Sequence, residues 1–201
     1  MFYRIACAVL KVFLHLVFRI RIVGKENVPL TGGGILAVNH RSNWDVVVAG
    51  IAVPRKLRFM AKSELFDNKL LGKLISSLGA FPVHRGKGDI GAIKAALGKL
   101  KANHIVAMFP EGKRVKEGEL ESAKPGVVML AIRGKVPVIP AYISGKYKWF
   151  GKITVYFGPP IYYDTYYDEK VVIEQLQQLS DEMLRTMRSL GDADKKLEAG
   201  K

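Results

Sequence analysis

Apolar residues recur along this chain in two rhythms. Short, nearly continuous apolar runs, "GILAVN", "LRFMA", "AFPV", "HIVAMFP", "VPVIPAYI" and "KITVYFGPPI", have the length and composition of buried strands. "RIRIVGKENVP" reads as a further strand that leaves into a turn. Between these runs lie longer segments with helical spacing. "SNWDVVVAGIAV" predicts a helix with Ser42 as N-cap and Asp45, three residues on, as the acid of a capping box. "NKLLGKLISSLG" predicts a helix closed by Gly79, and "DIGAIKAALGKLKAN" one capped by Asp89. A helix starts near Pro125, and "DEKVVIEQLQQLSDEMLRTMRSL" is amphipathic. Strands alternating with helices predict an α/β domain over residues 21–190, with a mixed, largely buried central sheet flanked by helices. Residues 191–201 read as a polar tail.

The first twenty residues follow a different pattern. "MFYRIACAVLKVFLHLVFRIRIV" is apolar but interrupted by Arg4, Lys11, His15 and Arg19. At about 100° per residue these four fall within roughly 80° of one another, opposite an apolar face. No uncharged run reaches the roughly 18 to 20 residues of a spanning helix, and the internal basic residues fit a signal peptide poorly. Residues 1–20 are therefore expected to form an amphipathic membrane-associating helix, lying in the interface of an anionic surface. The alternative is a helix packed on its own domain.

Composition narrows the function classes. With 201 residues the chain makes one domain with a sizeable core, and its single cysteine, Cys7, excludes a disulfide framework and a thiolate zinc site. The 32 Lys and Arg against 18 Asp and Glu, a net charge of +14, favour an anionic partner: nucleic acid, a membrane surface or a phosphorylated substrate. Nucleic acid fits least. The aromatics lie in apolar runs or in the acidic "YYDTYYD", which would repel a phosphate backbone, so a non-catalytic nucleic-acid-binding protein is the remote alternative and no nucleic acid is expected as partner.

Three polar clusters stand at the ends of expected strands, where ligand sites of layered α/β folds gather: "NHRSNWD", "HRGKGD" and "FPEGKR". In the first, His40 and Asp45 are five residues apart, too far round a regular helix to meet. With His40 in the loop and Asp45 in the first helical turn they can pair, and Asp45 would then fix the imidazole tautomer and raise its basicity. By spacing alone, a capped turn with a solvated histidine is the simpler reading. No second histidine or carboxylate stands at helical spacing with His40, so no metal is expected. No G-x-S-x-G elbow is present, so a nucleophile would belong to the substrate. "FPEGKRV" offers Gly112 for close approach with Lys113 and Arg114 as cations, and "FPVHRGKG" repeats the theme with Arg85 and Lys87. Taken singly, each is an ordinary solvated turn as readily as an anion site.

Together and in this order, the clusters resemble the 1-acyl-sn-glycerol-3-phosphate acyltransferases, from about residue 20 to 160. "NHRSNWD" matches that family's N-H-x-x-x-x-D motif and "LGAFPVHRGKGD" its G-x-x-x-x-x-R segment. "FPEGKRV" matches F-P-E-G-T-R-S, and "VPVIPAYI" the apolar V-P-(I/V)-(I/V)-P strand. Four motifs in order outweigh the capped-turn reading. The resemblance implies His40 as general base and Asp45 as its orienting partner. It gives the phosphate to Arg85 and Arg114, and the glycerol backbone to Glu111 and Gly112. Lys62, in "AKSEL", becomes a further basic position near the site, and Pro137 and Pro140 shape the acyl side. Lys113 and Val115 stand where Thr and Ser are usual, replacing a hydroxyl near the phosphate with charge, and His84 replaces an aspartate.

The implied reaction moves a fatty acyl chain from acyl-CoA or acyl-carrier protein to the sn-2 hydroxyl of 1-acylglycerol 3-phosphate, giving phosphatidic acid without a cofactor. The implied location is the cytoplasmic face of the cell membrane, peripheral or monotopic. Another lysophospholipid, a lyso-aminolipid or glycerol 3-phosphate are the alternative acceptors.

Overall fold

The computed structural model of the protein describes residues 2–83, 90–115 and 122–199. Its frame is a seven-stranded sheet: β1 (Arg19–Val23), β2 (Gly34–Val38), β3 (Leu57–Lys62), β4 (Ala80–Val83), β5 (Ile105–Met108), β6 (Val138–Gly145) and β7 (Lys152–Phe157). Its spatial order is β1-β7-β6-β2-β5-β3-β4. Every neighbouring pair is parallel except β6 with β7, so the sheet is mixed, as expected. Among the described residues six α-helices accompany it: α1 (Phe2–Val17), α2 (Trp44–Ala52), α3 (Lys69–Ser77), α4 (Ile90–Lys101), α5 (Gly126–Gly134) and α6 (Ile173–Ala199).

The apolar strands are buried because helices cover both faces. In β2 every residue is buried, and the strand's two-residue period divides them. Leu36 and Val38 join the core under α1 and α2, while Ile35 and Ala37 face the core under α4, α5 and α6. A continuous apolar strand without alternation is what two covered faces require. Parallel pairing then aligns the C-terminal ends of β2, β3, β4 and β5 along one edge, and the clusters of the sequence follow those ends.

Several local expectations meet particular geometry. Asn68 caps α3 through its side chain, which accepts from Leu70 N and Leu71 N at 3.0 Å each. Gly79 closes that helix at φ 105°, and a Cβ there would lie 2.2 Å from the Leu57 carbonyl oxygen, so only glycine fits. Asp89 lies outside the described residues. α6 differs from expectation: it runs on to Ala199, through the stretch read as a polar tail.

α1 packs on the domain along one stripe and leaves another exposed. Leu14 is fully buried against the domain, and Phe18, just beyond the helix, lies in the same core. Ile5, Val9, Val12, Phe13 and Leu16 point away and remain exposed, while Lys11 and His15 occupy a third, polar stripe. Among the described residues, no helix is long and apolar enough to cross a membrane.

Candidate active site

The site grows from the last residue of the buried run that ends in β2. Asn39 is buried, and its amide bridges to β6: Nδ2 donates to Ile143 O at 3.1 Å, and Oδ1 accepts from Ile143 N at 2.7 Å. This pair continues the sheet by one step beyond β2 and sets the chain's direction as it turns toward α2. His40 comes next. Its ring stacks on Phe109, with centroids 4.0 Å apart and planes 20° from parallel. Its backbone is held on both sides by the "FPEGKRV" turn: His40 N donates to Glu111 Oε2 at 2.9 Å, and His40 O accepts from Val115 N at 2.9 Å.

Asp45 is brought to His40 by the turn between them. It is completely buried, and its carboxylate takes four donors. Oδ2 accepts from His40 Nδ1 at 3.2 Å and from the backbone N–H groups of Arg41 and Ser42 at 2.6 Å each. Oδ1 accepts from the Tyr147 hydroxyl at 2.6 Å. Burial pushes the Asp45 carboxyl up, but these donors, His40 first and then Tyr147, outweigh it and hold the group below the usual carboxylate range. An ionised carboxylate accepting from Nδ1 fixes the proton on that nitrogen and leaves Nε2 as the lone-pair-bearing atom of the ring.

The expected capping box forms in part. Asp45 reaches back to Ser42 N as a capping acid should, but α2 starts at Trp44, so the residue before it is Asn43, which makes no side-chain cap. The Ser42 hydroxyl accepts from Trp44 N at 3.3 Å, whereas Asp45 N donates to the Ser42 carbonyl. The carboxylate also bonds Arg41 N and His40, and that wider demand displaces the ideal box.

Glu111, two residues past Phe109, is the second acid beside His40. Burial raises its pKa, and the His40 N–H lowers it by less. Its contact is with the loop's backbone. Gly112, at φ 71°, turns the chain after it, and its N–H donates to the Phe109 carbonyl at 3.0 Å. Lys113 and Arg114 follow, both exposed, and Arg114 Nη1 reaches Asn43 Oδ1 at 3.4 Å. Lys62 ends β3 on the same edge of the sheet and pairs with Glu64 at 3.9 Å. Arg85 lies outside the described residues. Pro137 and Pro140 serve the sheet: the Pro137 carbonyl accepts from Ile35 N, and Pro140 is buried in β6 beside Ala37.

Sequence reasoning missed two residues here. Arg41 Nη2 donates to the carbonyls of Ile143 and Gly145, at 2.7 and 3.0 Å, fastening the loop to the end of β6. Tyr147 lies 102 positions from the carboxylate it holds, and burial, then Asp45, keep its phenol protonated far above its usual range. The dipeptide "KY" carried no signal for the Tyr147 contact. Beside the pair opens a cleft of about 510 Å³, lined by Arg41, Ser42, Arg114, Val115, Lys146 and Tyr147 among others. A buried carboxylate–imidazole pair next to a cationic cleft can deprotonate a hydroxyl on an anionic molecule.

The family model described as Acyltransferase matches residues 19–144. The chain belongs to this acyltransferase family. It is 35% identical over 166 residues to the 1-acyl-sn-glycerol-3-phosphate acyltransferase of Bacillus subtilis, covering 80% of this chain and 82% of that protein. The enzyme of the same name from Streptococcus pneumoniae is 31% identical over 160 residues, covering 76% of this chain and 55% of its own length. Among solved structures, the 1-acyl-sn-glycerophosphate acyltransferase of Thermotoga maritima shares the fold, with a TM-score of 0.65 at 24% identity. That match covers 90% of this chain and 72% of the other.

Proposed function

We propose that this acyltransferase transfers a fatty acyl chain from a thioester donor, acyl-CoA or acyl-carrier protein, to the sn-2 hydroxyl of 1-acylglycerol 3-phosphate. The observation that carries this reading is the hydrogen bond between His40 Nδ1 and the buried, ionised Asp45. It leaves Nε2 as the base, and Arg41 and Tyr147, both bonded to Asp45, line a cleft together with Arg114 and Lys146. The names of the relatives supply the acceptor.

The acceptor's phosphate would lie against Arg114, with Lys113 adding charge from the same turn and Lys62 from the same edge of the sheet. Arg85 is assigned the same task from its motif. Arginine suits a phosphate because its planar fork makes paired charge-assisted bonds. Gly112 keeps the turn low so that the glycerol backbone can approach, and Glu111 acts through the His40 backbone it holds. Nε2 takes the hydroxyl proton as the oxygen attacks the thioester carbonyl and the C–O bond forms. The tetrahedral intermediate then collapses, the C–S bond breaks, and the imidazolium returns its proton to the leaving thiolate. No residue of the protein is acylated.

The exposed apolar stripe of α1, beside Lys11 and His15, supports a helix lying in the interface of the cytoplasmic leaflet, where such an acceptor resides. The test is turnover of lysophosphatidic acid with each thioester donor in turn, by wild type and His40→Ala. His40→Ala is expected to lose about 100- to 10,000-fold in kcat while keeping its thermal transition. Wild-type turnover by His40→Ala would overturn the assignment. Competition among acceptors separates this acceptor from another lysophospholipid, a lyso-aminolipid or glycerol 3-phosphate.

A further inference from the structure

The loop between β6 and β7, residues 146–151, carries two aromatic side chains with no place in the core: Trp149 is 77% exposed and Phe150 is 66% exposed. Neither packs on the domain, yet neither is left to a slack loop. Phe150 is held at φ 54°, a left-handed backbone conformation costly for a bulky residue. Its N–H donates to the Val17 carbonyl at 2.8 Å, and the Gly151 carbonyl accepts from Arg19 N at 2.9 Å. The two aromatics are thereby fixed at the C-terminal end of α1, where Val12, Phe13 and Leu16 are also exposed. Lys146, Lys148 and Lys152, all exposed, bracket them in "KYKWFGK".

We propose that this loop is a second membrane-docking element, continuous with the apolar stripe of α1, and that its occupant is the surface of an anionic lipid bilayer. Tryptophan with flanking lysines is the composition favoured at the headgroup boundary, where the indole is half-buried and the ammonium groups meet lipid phosphates. A net charge of +14 supplies the long-range complement to such a surface. The position of the loop gives the contact a use. Lys146 and Tyr147, at its start, line the cleft, and Tyr147 holds Asp45. Phe18, buried beneath, packs edge-on against both Tyr147 and Trp44, so the loop's base is rigidly joined to the site. Seating Trp149 and Phe150 among the lipids would set the cleft's mouth at headgroup depth, so that an amphiphilic acceptor enters headgroup first without leaving the leaflet. This use of the loop rests on the acyl-transfer reading; the docking itself does not.

The full chain with Trp44→Phe has Trp149 as its single tryptophan. Its emission is expected to shift to the blue, and to be quenched by brominated acyl chains, with vesicles of equimolar phosphatidylglycerol and phosphatidylcholine, but much less with phosphatidylcholine alone. Trp149→Ser/Phe150→Ser is expected to bind the anionic vesicles about tenfold more weakly. On a short-chain lysophosphatidic acid below its micellar concentration, it should turn over within about twofold of wild type. An unmoved Trp149 emission at saturating vesicles, or undiminished vesicle binding by the double variant, overturns the proposal. So does a Trp149 shift that follows protein concentration without lipid, which would mark a contact between copies of the chain. Lipid-dependent shifts in a protein that acylates no lysophospholipid would leave the docking in place and remove the acyl-transfer reading.

Discussion

Two acidic residues hold His40, and they do so in opposite ways. Asp45, from the "NHRSNWD" loop, is wholly buried, accepts from four donors and is held below the usual carboxylate range. Glu111, from the "FPEGKRV" turn, accepts one backbone N–H, and burial raises its pKa. The first grips the ring and the second grips the chain. A buried carboxylate that holds an imidazole N–H as an ion needs its charge secured, so the fold surrounds it with donors. A carboxylate that only anchors a backbone amide can do so with far less charge stabilisation. The difference separates the residue that holds the ring from the residue that holds the loop's backbone.

The comparison breaks most severely at Asp45. Asp45→Asn removes the negative charge at which four donors point and weakens the hold on the Nδ1–H tautomer. Its kcat should fall about 100-fold or more, and its stability by about 2 kcal/mol in denaturant unfolding. Because the folded pKa of Asp45 is depressed, its contribution to stability is present above the ordinary aspartate value of about 3.9 and is lost as pH falls through the folded value. Wild-type thermal stability should therefore drop more steeply below about pH 4 than that of Asp45→Asn.

Arg114→Ala leaves both grips on His40 intact. It should raise KM for the phosphate-bearing acceptor about tenfold with a smaller change in kcat, corresponding to one lost charge-assisted contact. An unchanged KM would remove Arg114 from the phosphate site. Tyr147→Phe tests whether the fourth donor to Asp45 matters. A loss of about three- to tenfold in kcat with KM preserved, and a displaced acid limb of the pH–rate profile, are expected of a residue that positions the pair. An unaltered profile would make Tyr147 structural only.

Glu111→Gln sharpens the contrast with the smallest effect. The amide oxygen still accepts from His40 N, so kcat should stay within about threefold. The pH dependence reverses sign relative to Asp45. A raised carboxyl pKa contributes stability below the ordinary glutamate value, about 4.3, and loses it as pH rises through the folded value. The thermal stability of Glu111→Gln should therefore gain on wild type as pH rises above about 4.3, followed by calorimetry.

The chain's local rhythm was enough to place the strands, the helices and the two-faced burial of the sheet, because each depends on neighbours a few residues away. It also brought out the pairing of Asp45 with Ser42 N, which spans three residues, and the possibility that one turn joins His40 to Asp45. It ended the last helix near residue 190, and the structure carries α6 on to Ala199. For the N-terminal helix it posed membrane association against packing on the domain, and the structure shows one stripe packed on the domain while another stays exposed.

Only the tertiary structure could bring Tyr147 to Asp45 across 102 residues, Glu111 to the backbone of His40 across 71, and Arg41 to the end of β6. These contacts follow from the strand order, which seats β6 and β5 on either side of β2. Strand order is decided by how the whole set of apolar faces is buried together, and no single segment encodes it. The sequence by itself thus determined which residues could do the chemistry. The packed sheet decided which of them are held, by what, and how far each may ionise.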